Sequence, residues 1–199
     1  MKKQEISFNY ISSNYAVGLL GGSFNPPHQG HLHISKVALK VFRLSEVYWI
    51  YTNQNPLKTI EPEKMKKRVE ESINLVKDPR IKFSDIELTN NFNYSVETLK
   101  YLKRKNARTN FIWIMGEDNL LSFHLWKNWK WIAKNFKIGI LARGHNRAAV
   151  NSSVFASRFK RFRLHADKAR SLKSVKAPAW CIVNTKRENL SSSNLRSNG

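Results

Sequence analysis

His28, His31 and His33, three of the chain's six histidines, fall within the short stretch "PPHQGHLH". An apolar run closed by Gly21 and Gly22 precedes them, and a helical pattern follows. Glycines at that place allow a tight turn and let a ligand phosphate come close to the main chain. The helix predicted to begin near Gly30 or His31 opens with N–H groups that lack internal partners, at the positive end of its dipole. His28 and His31 stand at that same end. Imidazole can donate a hydrogen bond to a phosphate oxygen, and it carries positive charge when phosphate raises its pKa. Together these features describe a phosphate cradle at a strand-to-helix turn. Two other readings compete. The H-x-x-H pair could hold zinc, although no cysteine lies nearby and no third ligand has suitable spacing. The histidines could also simply cap the helix. Without G-x-x-x-x-G-K-[ST] or G-x-G-x-x-G, the stretch is neither a P-loop nor the dinucleotide fingerprint.

The elements that must position these residues alternate between short apolar runs and helical patterns. "YAVGLLGGSF", "EVYWIYT", "NFIWIMG", "KIGILAR" and "AWCIV" read as strands, and "IKFSDIEL" as an extended segment. "HLHISKVALKVFRL", residues 62–77, "SVETLKYLKRK" and "KNWKWIAKNF" read as helices, the second with Pro62 near its start and the third capped by Ser95. "LSSSNLR" reads as a further helix start. Residues 144–176 show little periodicity and are expected to be a loop with one short helix. The alternation predicts an α/β fold: a Rossmann-like, doubly wound parallel sheet with helices on both faces. Such sheets bind ligands at the carboxyl ends of their strands, near the switch in strand order.

The chain has 199 residues, enough for one domain with its own core. Residues 1–14 are expected to be a polar N-terminal extension, and 15–199 a single domain. Gln4, Glu5, Ser7 and Asn9 interrupt any signal-peptide core, and no run approaches the roughly 18 apolar residues of a membrane span. Cys181 is the sole cysteine and sits in an apolar run, as expected for a reducing cytoplasm. The net charge is +21, with Arg158, Lys160, Arg161 and Arg163 in a dense basic part from Arg143 to Lys176. That charge suits either a plain solvated surface or a surface that binds polyphosphate or nucleic acid. No helix-turn-helix, RNA-recognition or zinc-finger pattern supports a specific nucleic acid partner.

"GGSFNPPHQGH" resembles the G-G-[ST]-F-[DN]-P-x-H-x-G-H signature of nucleotidylyltransferases. "FIWIMGEDNLLSFHLWKNWKWI", "NYSVETL", "NPLK" with Arg68 following, and "LSSSNLR" resemble, in order, segments of bacterial nicotinate-nucleotide adenylyltransferases. The resemblance spans Gly18 to Arg196. Other H-x-G-H enzymes, with phosphopantetheine, nicotinamide mononucleotide or cytidylyl chemistry, are the nearest alternatives, and the first and last of these lack this combination of segments. There are departures too. Leu57 stands where the family often has histidine, Ser193 replaces threonine, Glu117 replaces the usual alanine, and only three residues follow Arg196.

The resemblance implies transfer of the adenylyl group of ATP to nicotinate mononucleotide, with release of pyrophosphate, in NAD biosynthesis. A mononucleotide phosphate is already a competent nucleophile, so positioning and charge stabilisation would carry the reaction. The resemblance assigns Gly21, Gly22, Ser23, Phe24, His28, His31, Gly116, Asp118, Ser192, Ser193 and Arg196 to ATP. His28 and His31 would contact the triphosphate, and His31 would stabilise the transition state. Asp118 would accept from ribose hydroxyls; the plain alternative is a helix N-cap. Lys58, Tyr94, Ser95 and Trp126 are assigned to the mononucleotide, with Trp126 stacked on its pyridine ring. Trp113 is expected in the core, and Trp129 and Trp131 as packing. Mg²⁺ would enter with ATP, bridging triphosphate oxygens without a protein cage. No membrane partner is implied, and the oligomeric state is left open.

Overall fold

The computed structural model describes residues 15–52, 65–142 and 147–185. In chain order the regular elements are β1 (Ala16–Gly22), α1 (Gln29–Val41), β2 (Glu46–Tyr51), α2 (Met65–Leu75), β3 (Ile81–Ser84), α3 (Ile86–Thr89), α4 (Ser95–Lys105) and β4 (Asn110–Gly116). There follow α5 (Glu117–Ser122), α6 (Trp129–Asn135), β5 (Lys137–Ala142), α7 (Arg147–Ser152), α8 (Val154–Arg158), β6 (Arg163–Leu164) and β7 (Ala179–Asn184), with 3₁₀ turns at Phe123–Leu125, Lys160–Phe162 and Ala166–Lys173.

The strands form one sheet in the order β3-β2-β1-β4-β5-β7-β6, and every pairing is parallel. β1, β4 and β5 are buried along nearly their whole length, as strands covered on both faces must be. Alternate residues feed two cores. Val17, Leu19, Trp113 and Ile138 pack with Leu99, Phe123, Ile132 and Phe155 from α4, α5–α6 and α8. Ala16, Leu20, Trp49 and Ile114 pack with Leu39 of α1 and Leu172 of the last 3₁₀ turn. The doubly wound expectation therefore holds. The direction of winding reverses between β1 and β4, so the carboxyl end of β1, where the histidines lie, is the switch point.

Three local readings are corrected. "IKFSDIEL" is extended only to Ser84; Ile86–Thr89 turns into helix, and Ile86 N–H meets Ser84 Oγ. The N-cap of α4 is Tyr94, and Ser95 is the first helical residue, because the Glu97 carboxylate reaches back to the Asn93 and Tyr94 amides at 3.0 and 3.2 Å. The stretch within 144–176 holds two short helices, two 3₁₀ turns and the edge strand β6 in place of a loop with one helix. Each piece is too short to display a period, and each is tied down by long-range contacts. Trp180 Nε1–H donates to the Phe159 carbonyl at 2.7 Å, and Arg163 Nη1–H to Asn151 Oδ1 at 2.9 Å.

Cys181 lies in β7 and is fully buried, and burial pushes its thiol up to about 11, leaving it protonated at neutral pH. Among the described residues no helix is long and apolar enough to cross a membrane. The expected extension at 1–14 lies outside the described residues.

Candidate active site

α1 starts in a way its sequence type explains only in part. His28, extended at φ −148° and ψ 169°, is the N-cap. Its Nδ1 accepts from the Gly30 amide at 3.1 Å, while Nδ1 of His31 accepts from the His28 amide at 3.3 Å. This is the reciprocal capping box usually made by Ser or Thr with Glu or Gln, built here from two imidazoles. The capping reading and the phosphate reading thus describe the same two side chains. With Nδ1 accepting, the hydrogen-bond pattern assigns the ring hydrogen of both to Nε2. The rings lie 3.8 Å apart, centroid to centroid. Two N–H donors are therefore held side by side at the end of β1. Among the described residues no group of three or more His, Cys, Asp or Glu could hold a metal ion, so the zinc reading finds no third ligand there.

Packing fixes these imidazoles from behind. Phe24, fully buried, stacks on Trp49 at 4.6 Å and meets His31 edge-on at 4.8 Å. Its φ of 46° is the left-handed backbone that a bulky residue adopts only under constraint. Phe24 thus belongs to the core beneath the histidines. Trp49 Nε1–H donates to Ser35 Oγ at 2.7 Å, whose hydroxyl in turn donates to the His31 carbonyl at 2.9 Å. The glycine turn has its own fastening. Arg68, 2% exposed, donates from Nη1 to the Ser23 carbonyl at 2.7 Å and to the Thr52 carbonyl at 3.1 Å, joining the ends of β1 and β2. At Gly21 the space a Cβ would take is filled by the Trp113 ring, 2.5 Å away. Its lack of a side chain is explained by Trp113, which is core as expected.

Next to β1, β4 ends on Gly116, the N-cap of α5. Asp118 is therefore not the cap. It is exposed, and its Oδ1 bends back to within 2.5 Å of where a Gly116 Cβ would stand, a contact that the exposed carboxylate can swing away from. Trp126 is half-buried, edge-on to Trp113 at 6.2 Å and to Phe123 at 5.4 Å. Trp129 and Trp131 pack against the same core. Beside the start of α4, Lys127 Nζ lies 4.0 Å from the Tyr94 ring centre and 3.7 Å from Glu97 Oε1. Behind it the buried Glu87 accepts from Thr98 Oγ1 at 2.8 Å; burial pushes this carboxyl up to about 7. Lys58, Ser192, Ser193 and Arg196 lie outside the described residues.

Sequence reasoning did not find a cavity of 590 Å³ at the carboxyl ends of β5 and β7, lined by Glu117, Ala142, Asn151, Arg163, His165 and Asn184 among others. Its members are dispersed over almost 70 positions; the sequence marks only Glu117, as a departure, and Lys160 and Arg163, as part of the basic stretch.

A sequence model of the family described as "Cytidylyltransferase-like" matches residues 19–198. A protein of Ruegeria sp. (strain TM1040), named "Probable nicotinate-nucleotide adenylyltransferase", is 40% identical over 92% of this chain and 97% of its own length. One of the same name from Agrobacterium fabrum is 42% identical over 92% of this chain and 98% of its own. Among solved structures, Plasmodium falciparum nicotinic acid mononucleotide adenylyltransferase complexed with NaAD superposes with a TM-score of 0.68 at 17% identity, over 92% of this chain and 83% of that one. At that identity the likeness is one of fold.

Proposed function

The chain belongs to the cytidylyltransferase-like family and, within it, to the nicotinate-nucleotide adenylyltransferases, and from that premise we propose how its residues divide the work of adenylyl transfer. The reaction takes ATP and nicotinate mononucleotide to nicotinate adenine dinucleotide and pyrophosphate, a step of NAD biosynthesis. A phosphate oxygen of the mononucleotide attacks the α-phosphorus of ATP. The bond from that phosphorus to the bridging oxygen breaks, and pyrophosphate leaves with its electron pair. The observation that carries this reading is the pair of mutually capping histidines at the switch point of the sheet.

Nε2–H of His28 and of His31 donate to triphosphate oxygens, with His31 on the charge that builds in the transition state. Neither ring acts as a nucleophile, because Nδ1 is engaged by main-chain N–H and Nε2 carries the hydrogen. The Gly21–Gly22–Ser23 main chain, held by Arg68, forms the floor. Gly116 and Asp118 face the ribose, the exposed carboxylate accepting from its hydroxyls. Mg²⁺ entering with ATP would supply charge neutralisation to the triphosphate. Ser192, Ser193 and Arg196 complete the triphosphate site, and Lys58 meets the mononucleotide phosphate, as the family resemblance implies.

Trp126 offers a flat face to the pyridine ring, with Tyr94 alongside. Glu97 takes up the Asn93 and Tyr94 amides. The Ser95 and Val96 amides of the first turn of α4 are then the donors that meet the ring carboxylate. All of this sits in a single domain spanning 15–199, working in the cytoplasm.

The test is kcat/KM with ATP and Mg²⁺ for nicotinate mononucleotide and for nicotinamide mononucleotide at equal salt, followed by pyrophosphate release. The acid should be used far better, since donors paired to a carboxylate are poorly matched by an amide NH₂. Equal use, or preference for the amide, would overturn the acceptor assignment.

A further inference from the structure

We propose that the basic, aromatic face made by α4 and α6 binds single-stranded RNA irrespective of sequence. Its cations take backbone phosphates, and Trp131 and Tyr101 take unstacked bases. This goes beyond adenylyl transfer and does not depend on it.

α4 turns Lys100, Lys103 and Arg104 to solvent, and the exposed Lys105 and Arg108 continue the run. Lys100 Nζ and Lys103 Nζ lie 5.4 and 6.0 Å from the centre of one ring, that of Trp131 in α6. The Arg104 guanidinium lies 6.0 Å from the centre of Tyr101. Lys134, about one turn beyond Trp131, is exposed as well. Both rings are partly exposed; Trp131 leans on Phe136 at 6.2 Å and Tyr101 on Phe92 at 5.7 Å. Lys103 Nζ donates to Asn135 Oδ1 at 2.7 Å. None of these cations forms an ion pair with an acid among the described residues.

Helix physics explains part of this charge. Cations in a last turn favour the helix dipole, as Lys103, Arg104 and Lys105 do in α4 and Lys134 in α6. Lys100 is different. It sits mid-helix, four residues before Arg104, a spacing at which like charges oppose the helix and an acid would support it. Two ammonium groups are brought to one ring with no described carboxylate beside them, and an anion would relieve their repulsion.

The rings decide which anion. A nucleic acid single strand offers phosphate charge to the cations and the flat face of any base to the rings. RNA is the nucleic acid that presents such unstacked bases in loops, bulges and ends. A lipid surface fits less well. Helices that lie on lipid bury an apolar face beside their cations. The exposed large apolar residues among those described, Ile73, Leu121, Leu125 and Val154, are on neither α4 nor α6.

The experiment titrates the full chain into a labelled oligouridylate and follows anisotropy between about 50 and 200 mM salt. If about four to six phosphates are neutralised, log Kobs should fall against log salt with a slope of about −3 to −4. The triple variant Lys100→Gln, Lys103→Gln, Arg104→Gln should bind about tenfold more weakly, with a slope shallower by about 2. Its kcat/KM for ATP and nicotinate mononucleotide should stay at the wild-type level. A second triple variant, Lys168→Gln, Arg170→Gln, Lys176→Gln, removes the same charge from exposed positions elsewhere and should bind as wild type does. Trp131→Leu should weaken the single strand about fivefold or more and leave an RNA duplex of equal length nearly unaffected. Undiminished binding by the first triple variant overturns the proposal. So does an equal loss in both triple variants, which would assign binding to net charge alone. Tighter binding of the wild type to anionic phospholipid vesicles than to oligouridylate also overturns it, in favour of a lipid surface.

Discussion

The β1–α1 corner and the β5–β7 side of the sheet are built on opposite terms. At the corner the groups that hold the turn are bonded to one another. His28 and His31 cap one helix reciprocally, Ser35 bridges Trp49 to the His31 carbonyl, and Arg68 closes the ends of β1 and β2. On the β5–β7 side the cavity is walled by short pieces, its basic members Lys160, Arg163 and His165 are exposed, and Glu117 Oε2 has no hydrogen-bond partner among the described residues. A corner that handles developing charge gains from donors fixed before the substrate arrives, since nothing then has to reorganise during the reaction.

The largest effect that could break this contrast is at His28. Asparagine is a good N-cap but lacks the Nε2–H donor. His28→Asn should keep the melting temperature close to wild type while kcat falls by ~10²–10³-fold. A fully active His28→Asn would reduce the histidine pair to a helix cap. Next in size is Arg68→Met, which strips two carbonyls of a charged donor and should cost about 2–3 kcal/mol in denaturant unfolding. Unchanged stability would mean that the corner is held by packing alone.

Glu87, under the start of α4, gives a pH signature. The folded protein keeps this proton to about 7, whereas the unfolded chain releases it near 4.5. Between those values the native state binds more protons, so stability should fall as pH rises through that window, by on the order of 3 kcal/mol in all. Glu87→Gln should flatten the slope between pH 5 and 8 in thermal melts; a parallel curve would assign the slope elsewhere. The smallest effect is at Trp126. Trp126→Ala should raise KM for the mononucleotide about tenfold, on the ~1 kcal/mol scale of aromatic stacking, and leave KM for ATP nearly unchanged. A rise in KM for ATP alone would move Trp126 to the other substrate.

The same contrast governs what could be read from the chain beforehand. Strands buried on both faces announce themselves as apolar runs, so β1, β2, β4, β5 and β7 were visible, and the histidines stood in one contiguous motif. Arg68 was visible as a motif member, but its grip on two carbonyls depends on a return of the chain that no local pattern encodes. Ser95 is the better cap by residue type, but the helix starts one residue earlier, at a turn that the Glu97 carboxylate fastens by accepting from the Asn93 and Tyr94 amides. β6 is two residues long and carries no alternation. The cavity is assembled from residues as far apart as Glu117 and Asn184, so nothing in one window could reveal it.

The most direct test of direct transfer at the histidine corner is the stereochemical course at the α-phosphorus. With one diastereomer of adenosine 5′-O-(1-thiotriphosphate) as donor and nicotinate mononucleotide as acceptor, a single in-line displacement predicts inversion of configuration in the dinucleotide. Retention would mean two displacements through an adenylylated side chain. That would contradict imidazoles whose Nδ1 atoms accept main-chain hydrogens and whose Nε2–H groups only donate.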